Sequence, residues 1–78
     1  MNGLDPVLLK ELVDTRMPFG KYQGRVLADV PEDYLLWFSQ KGFPPGRLGQ
    51  QLALLLVIKS EGLEPLLAPL RSVSQRRQ

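Results

Sequence analysis

The amino-acid sequence predicts an α+β fold, in which a small β-hairpin packs on a bundle of three to four short α-helices. Residues 5–16, 31–41 and 47–61 have the apolar periodicity, capping residues and length of α-helices. The segment between the first two helices is instead rich in glycine and in strand-forming residues. The 78-residue chain has no cysteine or histidine. It therefore cannot form disulfides and offers zinc almost no ligands, so stability has to come from helix packing or self-association.

The first predicted helix begins after Asp5, a good N-cap that is followed by a proline suited to the first helical position. Pro18 disfavours helical backbone at Met17, so this helix should end by about Arg16. Four apolar residues recur at helical spacing and form one stripe for the core: Leu8, Leu9, Leu12 and Val13.

The segment that follows predicts a β-hairpin. Two short strands are expected near Met17–Phe19 and Arg25–Ala28, because aromatic and β-branched residues favour strands. Gly20 and Gly24 bound the turn between them. Two strands alone are barely stable in water, so the hairpin should lie on the helices.

The second predicted helix begins with Pro31 in its first turn and ends at Gly42. Its acidic first turn suits the positive end of the helix dipole. A helical wheel places four large side chains on one core-facing arc, with Leu36 outside it: Tyr34, Leu35, Trp37 and Phe38. Core packing is the simpler interpretation of Trp37, and stacking on a base or a partner is the alternative.

The third predicted helix, residues 47–61, is apolar on all sides in its middle. A helix of that kind is buried on several faces, so it should be the central element or half of a dimer interface. A buried strand is a less favoured interpretation, because the flanking polar residues extend the segment beyond strand length. One last short helix should follow Gly62. Residues 1–71 are expected to form a single α+β domain, and residues 72–78 a flexible polar tail.

The composition argues against catalysis, cofactors and membranes. No histidine or cysteine is present to act in nucleophilic catalysis. The carboxylates of Asp29, Glu32 and Asp33 are explained by the helix dipole, so no metal is expected. The longest apolar run, Leu52 to Ile58, is far shorter than the about 20 residues that span a bilayer. The sequence predicts a non-enzymatic cytoplasmic protein without a cofactor.

The stretch FGKYQG, residues 19–24, raises the question of phosphate binding. It lacks the glycine spacing and the Gly-Lys-Ser/Thr of a nucleotide-binding loop. A hairpin turn explains its glycines but not Lys21, Tyr22 and Arg25. These residues form a basic loop with an aromatic ring, as in proteins that bind single-stranded nucleic acid. A solvated turn is the simpler alternative. Lys41 and Arg47 border the next turn and would extend a basic patch.

The same residues belong to a longer pattern, Pro-Phe-Gly-Lys-Tyr-x-Gly followed at a fixed spacing by Pro-x-x-Tyr-Leu-x-Trp. From Met17 to Arg71 the chain resembles a family of short bacterial proteins of unknown function, described as putative quorum-sensing-regulated virulence factors. That description implies a regulatory setting and no chemistry. The first half of the pattern, Pro-Phe-Gly-Lys-Tyr-x-Gly, runs from Pro18 to Gly24 and includes Tyr22. A looser form resembles the module that follows the nuclease domain in exonuclease-X-like DNA exonucleases, and matches at Phe19, Gly20, Lys21, Gly24, Pro31, Tyr34 and Trp37.

The exonuclease resemblance implies contact with nucleic acid, DNA above all, and no nuclease activity, because the catalytic carboxylates of those enzymes lie in their other domain. Lys21 and Arg25 would contact phosphates, and Tyr22 and Trp37 would offer ring faces. The alternative hypothesis is a protein-interaction or homodimerisation module that uses the 47–61 helix and three leucines after it, Leu66, Leu67 and Leu70. A small anion bound at the hairpin is a third interpretation.

Overall fold

A computed structural model describes residues 5–75 of the chain, with side chains to Arg71. Within that range the protein is helical and has no β-strand. Its elements, in order, are α1 (Pro6–Asp14), a 3₁₀ helix (Leu27–Asp29), α2 (Glu32–Lys41), α3 (Arg47–Ser60), a second 3₁₀ helix (Glu64–Leu66) and α4 (Ala68–Gln75). The predicted α+β class is therefore wrong.

A single antiparallel bridge between Arg16 and Val26 stands where the hairpin was predicted. Three further backbone hydrogen bonds flank it: Met17 N to Arg25 O (2.8 Å), Gly24 N to Met17 O (2.8 Å) and Leu27 N to Thr15 O (2.9 Å). Between these bonds the chain turns twice, with Gln23 N donating to Gly20 O and Arg25 N to Tyr22 O. The bridge closes a loop and does not extend into a sheet.

The predicted strands Met17–Phe19 and Arg25–Ala28 are wrong for a physical reason. Pro18 has no N–H to donate to a ladder, and after Val26 the chain enters the 3₁₀ helix, where Leu27 and Ala28 are buried. Burial of Leu27 contributes about 1.5–3 kcal/mol. That exceeds the roughly 1 kcal/mol spanned by strand propensities, so tertiary packing decides the local conformation.

The N-terminus of α1 confirms the predicted cap. The Asp5 carboxylate accepts a hydrogen bond from Val7 N at 2.9 Å, and Pro6 is the first helical residue. The helix ends at Asp14, slightly before the predicted limit. Leu12 and Val13 are buried in the core, as the apolar stripe indicates.

Helix α3 lies at the centre of the fold, packed on α2, on α1 and on the first 3₁₀ helix. Leu52, Leu55 and Ile58 of α3 are fully buried, which agrees with the central position that its sequence predicts. Val57, in contrast, is half exposed. The rest of the core comes from the other elements and their connections: Leu12, Val13, Met17, Leu27, Ala28, Val30, Leu35 and Leu67.

Helix α4 closes the fold against α1. An ion pair of 2.9 Å joins Arg71 to Asp29 of the first 3₁₀ helix. The predicted tail, residues 72–78, overlaps the end of α4, which continues to Gln75. The remaining residues 76–78 lie outside the described part of the chain.

Candidate functional site

The loop of residues 17–25, here called the glycine loop, is held in one shape by hydrogen bonds. The Arg16 guanidinium donates to the carbonyl oxygen of Gly24 at 2.7 Å, beside the backbone bridge. Gly20 and Gly24 have φ values of +82° and +88°, which side chains rarely adopt. The hairpin predicted to explain these two glycines is absent from residues 17–28, but both have the positive φ that turns require of glycine.

The glycine loop rests on α2 through Gly20 and Tyr22. A Cβ atom at Gly20 would lie 2.9 Å from the Tyr34 hydroxyl, so a side chain at this position would have to displace that hydroxyl. The Tyr22 ring meets the Tyr34 ring edge to face, with centroids 4.8 Å apart. The two halves of the sequence pattern therefore form one site.

Six rings make up an aromatic cluster around this contact: Phe19, Tyr22, Tyr34, Trp37, Phe38 and Phe43. Tyr34 is central, and its ring stacks on Trp37 at 5.6 Å with an interplanar angle of 27°. Phe38 joins the cluster to the turn after α2 through Phe43, at 5.7 Å. The rings thus run from the glycine loop along one side of α2.

The prediction that Trp37 packs in the core is wrong, because 49% of its surface is exposed. At 3.6 residues per turn the predicted arc spans about 160°, with Trp37 at one margin and Leu35 at the other. The core lies at the Leu35 margin, where that side chain is fully buried. Trp37 therefore falls at the solvent edge, while Tyr34 and Phe38 between them are half-buried.

Three cations lie on the rings of this cluster. The Lys21 ammonium is 5.6 Å and the Arg25 guanidinium carbon 5.0 Å from the Tyr22 centroid. The Lys41 ammonium is 5.7 Å from the centroid of Trp37. These distances allow cation–π attraction. Among the described residues, none of the three cations forms an ion pair with a carboxylate.

An open pocket of about 480 Å³ lies at the junction of the glycine loop and α2. Its lining residues are Gly20, Lys21, Tyr34 and Trp37. We call it the Trp37 pocket. Two aromatic side chains, one ammonium group and exposed glycine backbone surround it, so it suits a flat ring that carries, or lies beside, negative charge.

Arg47 does not join these cations. Its guanidinium donates two hydrogen bonds to Glu11 of α1, Nε to Oε1 at 2.9 Å and Nη2 to Oε2 at 3.0 Å. Gln51 donates to the same carboxylate at 2.9 Å. These hydrogen bonds lower the pKa of Glu11 and raise the pKa of Arg47, so both stay charged at neutral pH. Arg47 is committed to the contact between α1 and α3.

The structure brings four of the predicted contact residues together: Lys21, Tyr22, Arg25 and Lys41 lie around Trp37 and Tyr34. Sequence reasoning missed Arg16, which fixes the loop through a backbone carbonyl. No sequence pattern predicts the hydrogen bond from Arg16 to the Gly24 carbonyl, since a cation after α1 could equally have remained solvated. Phe19, which the sequence motif includes, is 42% exposed and contacts Phe38 at the edge of the cluster.

Metal-binding clusters and membrane-spanning helices are both absent from the described part of the chain. No group of three or more His, Cys, Asp or Glu residues there could hold a metal ion. No helix in that range has both the length and the apolar character needed to cross a membrane.

Fold and surface together define a small helical protein whose exposed face combines aromatic rings with cations. A family model described as "Putative quorum-sensing-regulated virulence factor" matches residues 5–70, and the chain belongs to this family. It is also 55% identical over 64 residues to an uncharacterized protein, YpeB, of Escherichia coli (strain K12), covering 81% of this chain and 89% of that protein. The YpeB protein of Escherichia coli O157:H7 matches to the same extent.

No solved structure matches the chain. The looser similarity to exonuclease modules is not shown by these comparisons and stays a prediction from the sequence.

Proposed function

We propose that this protein is a non-enzymatic cytoplasmic module that binds nucleic acid, with DNA favoured, through the exposed side of the aromatic cluster. The observation that carries the proposal is the placement of Lys21, Arg25 and Lys41 beside the half-exposed Trp37. Cations for phosphates and a ring for bases are what proteins use to bind single strands with little sequence preference. The family description adds a regulatory setting to this proposal and no chemistry.

The cations divide between the two parts of the surface. Lys21 and Arg25 belong to the glycine loop and Lys41 to the last turn of α2. We assign the phosphate contacts to these three, and not to Arg47, because Glu11 already neutralises that guanidinium. Asp33 lies one helical turn before Trp37, so its carboxylate opposes an anion there and limits the affinity.

The aromatic rings of the glycine loop and of α2 also have different roles in this proposal. Tyr22 is half-buried, two cations lie over its ring, and it forms an edge-to-face pair with Tyr34. We therefore assign Tyr22 to positioning Lys21 and Arg25. Trp37 has free surface, and we assign base contact to it.

Fluorescence anisotropy with labelled single-stranded DNA, duplex DNA and RNA at low salt tests the proposal. We expect the double variant Lys21→Ala/Arg25→Ala to bind about tenfold more weakly or worse, because each lost phosphate contact removes counterion release. The matched control is Lys10→Ala/Arg71→Ala, which loses the same charge from ion pairs outside the aromatic cluster. Circular dichroism confirms that both variants fold.

Two results would contradict the proposal. One is the absence of binding to every nucleic acid at about 100 μM protein, the weak end of ordinary non-specific binding. The other is an equal loss in the control variant, which would assign binding to overall charge and not to this surface.

A second candidate is a homodimerisation module. Val57 of α3 is 49% exposed and Leu66 is 44% exposed, so part of the apolar surface expected for an interface is accessible. Leu67 belongs to the core instead, with 2% of its surface exposed. Sedimentation equilibrium of the wild type and of Val57→Asp tests this candidate, and a monomeric mass at all concentrations removes it.

A further inference from the structure

We infer that the Trp37 pocket takes one unpaired nucleobase, stacked on the indole ring, so that the protein prefers single-stranded to duplex nucleic acid. This inference rests on the proposed function and adds to it the part of the nucleic acid that is recognised. Phosphate contacts by Lys21, Arg25 and Lys41 alone would serve both forms equally well, since both carry phosphates.

The shape of the pocket favours a flat ring. Its volume of about 480 Å³ falls within the about 300–1,000 Å³ of ordinary small-molecule sites. Tyr34 and Trp37 line it with rings in an offset stack, at an interplanar angle of 27°. A base that entered beside them would continue the stack and cover the exposed part of Trp37.

The pocket is preformed. The Tyr22 ring packs the loop on Tyr34, and Arg16 fixes the end of the loop at Gly24. A base therefore does not have to order the site when it binds, which lowers the entropy that binding costs.

The Lys41 ammonium lies over the Trp37 ring in this structure, 5.7 Å from its centroid. A base stacked on tryptophan is a stronger contact than an exposed lysine over the same ring. The long, flexible side chain of Lys41 can move aside at little cost. Its ammonium then becomes available to the phosphate next to the stacked base, so stacking and phosphate contact reinforce each other.

An unpaired base is required because the pocket lies on the surface of α2, where only an unstacked base can present its face. In a duplex both faces of each base are covered by neighbouring base pairs. We expect little preference for base identity, because the Lys21 ammonium, the Tyr34 hydroxyl and the Trp37 indole N–H are the only polar side-chain groups in the lining. Among its four lining residues no amide or carboxylate side chain is present to pair with base edges.

The decisive comparison uses three DNA ligands that carry the same number of phosphates: oligo(dT), the same backbone with abasic positions, and a duplex. The chain has one tryptophan, so selective excitation of tryptophan reports this ring alone. We expect oligo(dT) to quench the fluorescence of Trp37 and to bind at least about fivefold more tightly than the abasic strand. The duplex should behave like the abasic strand.

The outcomes separate the two claims. If all ligands bind equally without quenching, the base pocket is wrong and nucleic-acid binding through phosphates stands. If none binds, both claims are wrong.

Variants at the ring supply a second readout. Trp37→Leu keeps an apolar side chain but has no aromatic face, so it should bind oligo(dT) and the abasic strand alike. Trp37→Phe should recover part of the difference. Leu36→Ala is the matched control, because Leu36 is the adjacent residue of α2 and is 50% exposed. A Trp37→Leu variant that still distinguished the two strands would overturn the inference.

Discussion

At the scale of single residues, Gly20 determines how the glycine loop meets α2. Two constraints act on it, a φ of +82° and the Tyr34 hydroxyl, which lies 2.9 Å from the position a Cβ would take. Gly24 has a similar φ of +88°, but beyond its two chain neighbours no described residue has a heavy atom within 4 Å of the position a Cβ would take. The two glycines therefore differ in one respect, and comparing them isolates the close approach to Tyr34.

We expect Gly20→Ala to lower the free energy of unfolding more than Gly24→Ala does. Both variants carry the backbone strain of about 1–3 kcal/mol, and only Gly20→Ala also displaces the Tyr34 ring. Urea denaturation measures the difference, and near-ultraviolet circular dichroism reports the rings directly. Addition of Tyr34→Phe, which removes the hydroxyl, should restore part of the loss in Gly20→Ala. Equal losses at the two glycines would show that Tyr34 does not limit the loop.

At the scale of elements, the contact between α2 and α3 depends on a second close approach. Gly49 in the first turns of α3 is buried, and a Cβ there would overlap the carbonyl oxygen of Pro44 in the preceding turn. That turn also holds Phe43, which connects the aromatic cluster to the start of α3. A small residue at this position lets the helix pack directly on backbone.

Gly49→Ala should therefore destabilise the protein, although alanine is the better helix former by about 1 kcal/mol. Overpacking against rigid backbone costs about 1–3 kcal/mol or more, so the steric effect outweighs the propensity. Thermal or urea denaturation measures the change. Gln50→Ala is the control, since Gln50 is the next residue and exposed, and should stay within about 0.5 kcal/mol of wild type. A stabilised Gly49→Ala variant would refute the overlap.

At the scale of the whole molecule, the net charge is small, but unpaired positive charge is concentrated at the aromatic cluster. The net charge is +2, too small for a strong overall field. Several cations are neutralised locally, as Arg47 is by Glu11 and Lys59 by Glu64. Among the described residues, the cations without a carboxylate partner are the three of the aromatic cluster and Arg16, whose guanidinium donates to the Gly24 carbonyl oxygen.

The salt dependence of binding should therefore follow three residues and not the net charge. For single strands the logarithm of the binding constant falls by about 0.7 per phosphate contact for each unit of log salt, which gives a slope of about −2 for three contacts. Lys41→Gln should reduce the slope by about 0.7, whereas Lys10→Gln on α1 should leave it unchanged. Anisotropy titrations over a salt series measure both slopes. An equal change in both variants would assign binding to overall charge.

The sequence predicted the helices well because their signals are local. Asp5, Pro6 and Gly42 act on their own turns, and the structure confirms them as N-cap, first helical residue and C-cap. The hairpin was wrong because strand propensity near Val26 competes with burial of the next residues, which depends on the whole fold.

The sequence predicted most of the residues that form the site but not how they are arranged. The motif spacing points to the glycine loop and Trp37 together, but the exposure of Trp37 depends on which margin of its helical face meets the core. The Arg47–Glu11 pair joins residues 36 positions apart. No local pattern announces such a pair, so the sequence grouped Arg47 with the basic patch.

The first 3₁₀ helix has a consequence for recognising this site in other sequences. Leu27, Ala28 and Val30, which separate the two halves of the motif, are buried almost completely. The spacer is thus part of the core and fixes the position of the glycine loop relative to α2. With an inserted residue, both halves of the motif would still be recognised in an alignment. We expect the insertion to rotate Trp37 away from Lys21, so that the surface itself would be lost. A search pattern for this surface should therefore forbid gaps between Gly24 and Pro31, and a gapped match should not be counted as the same site.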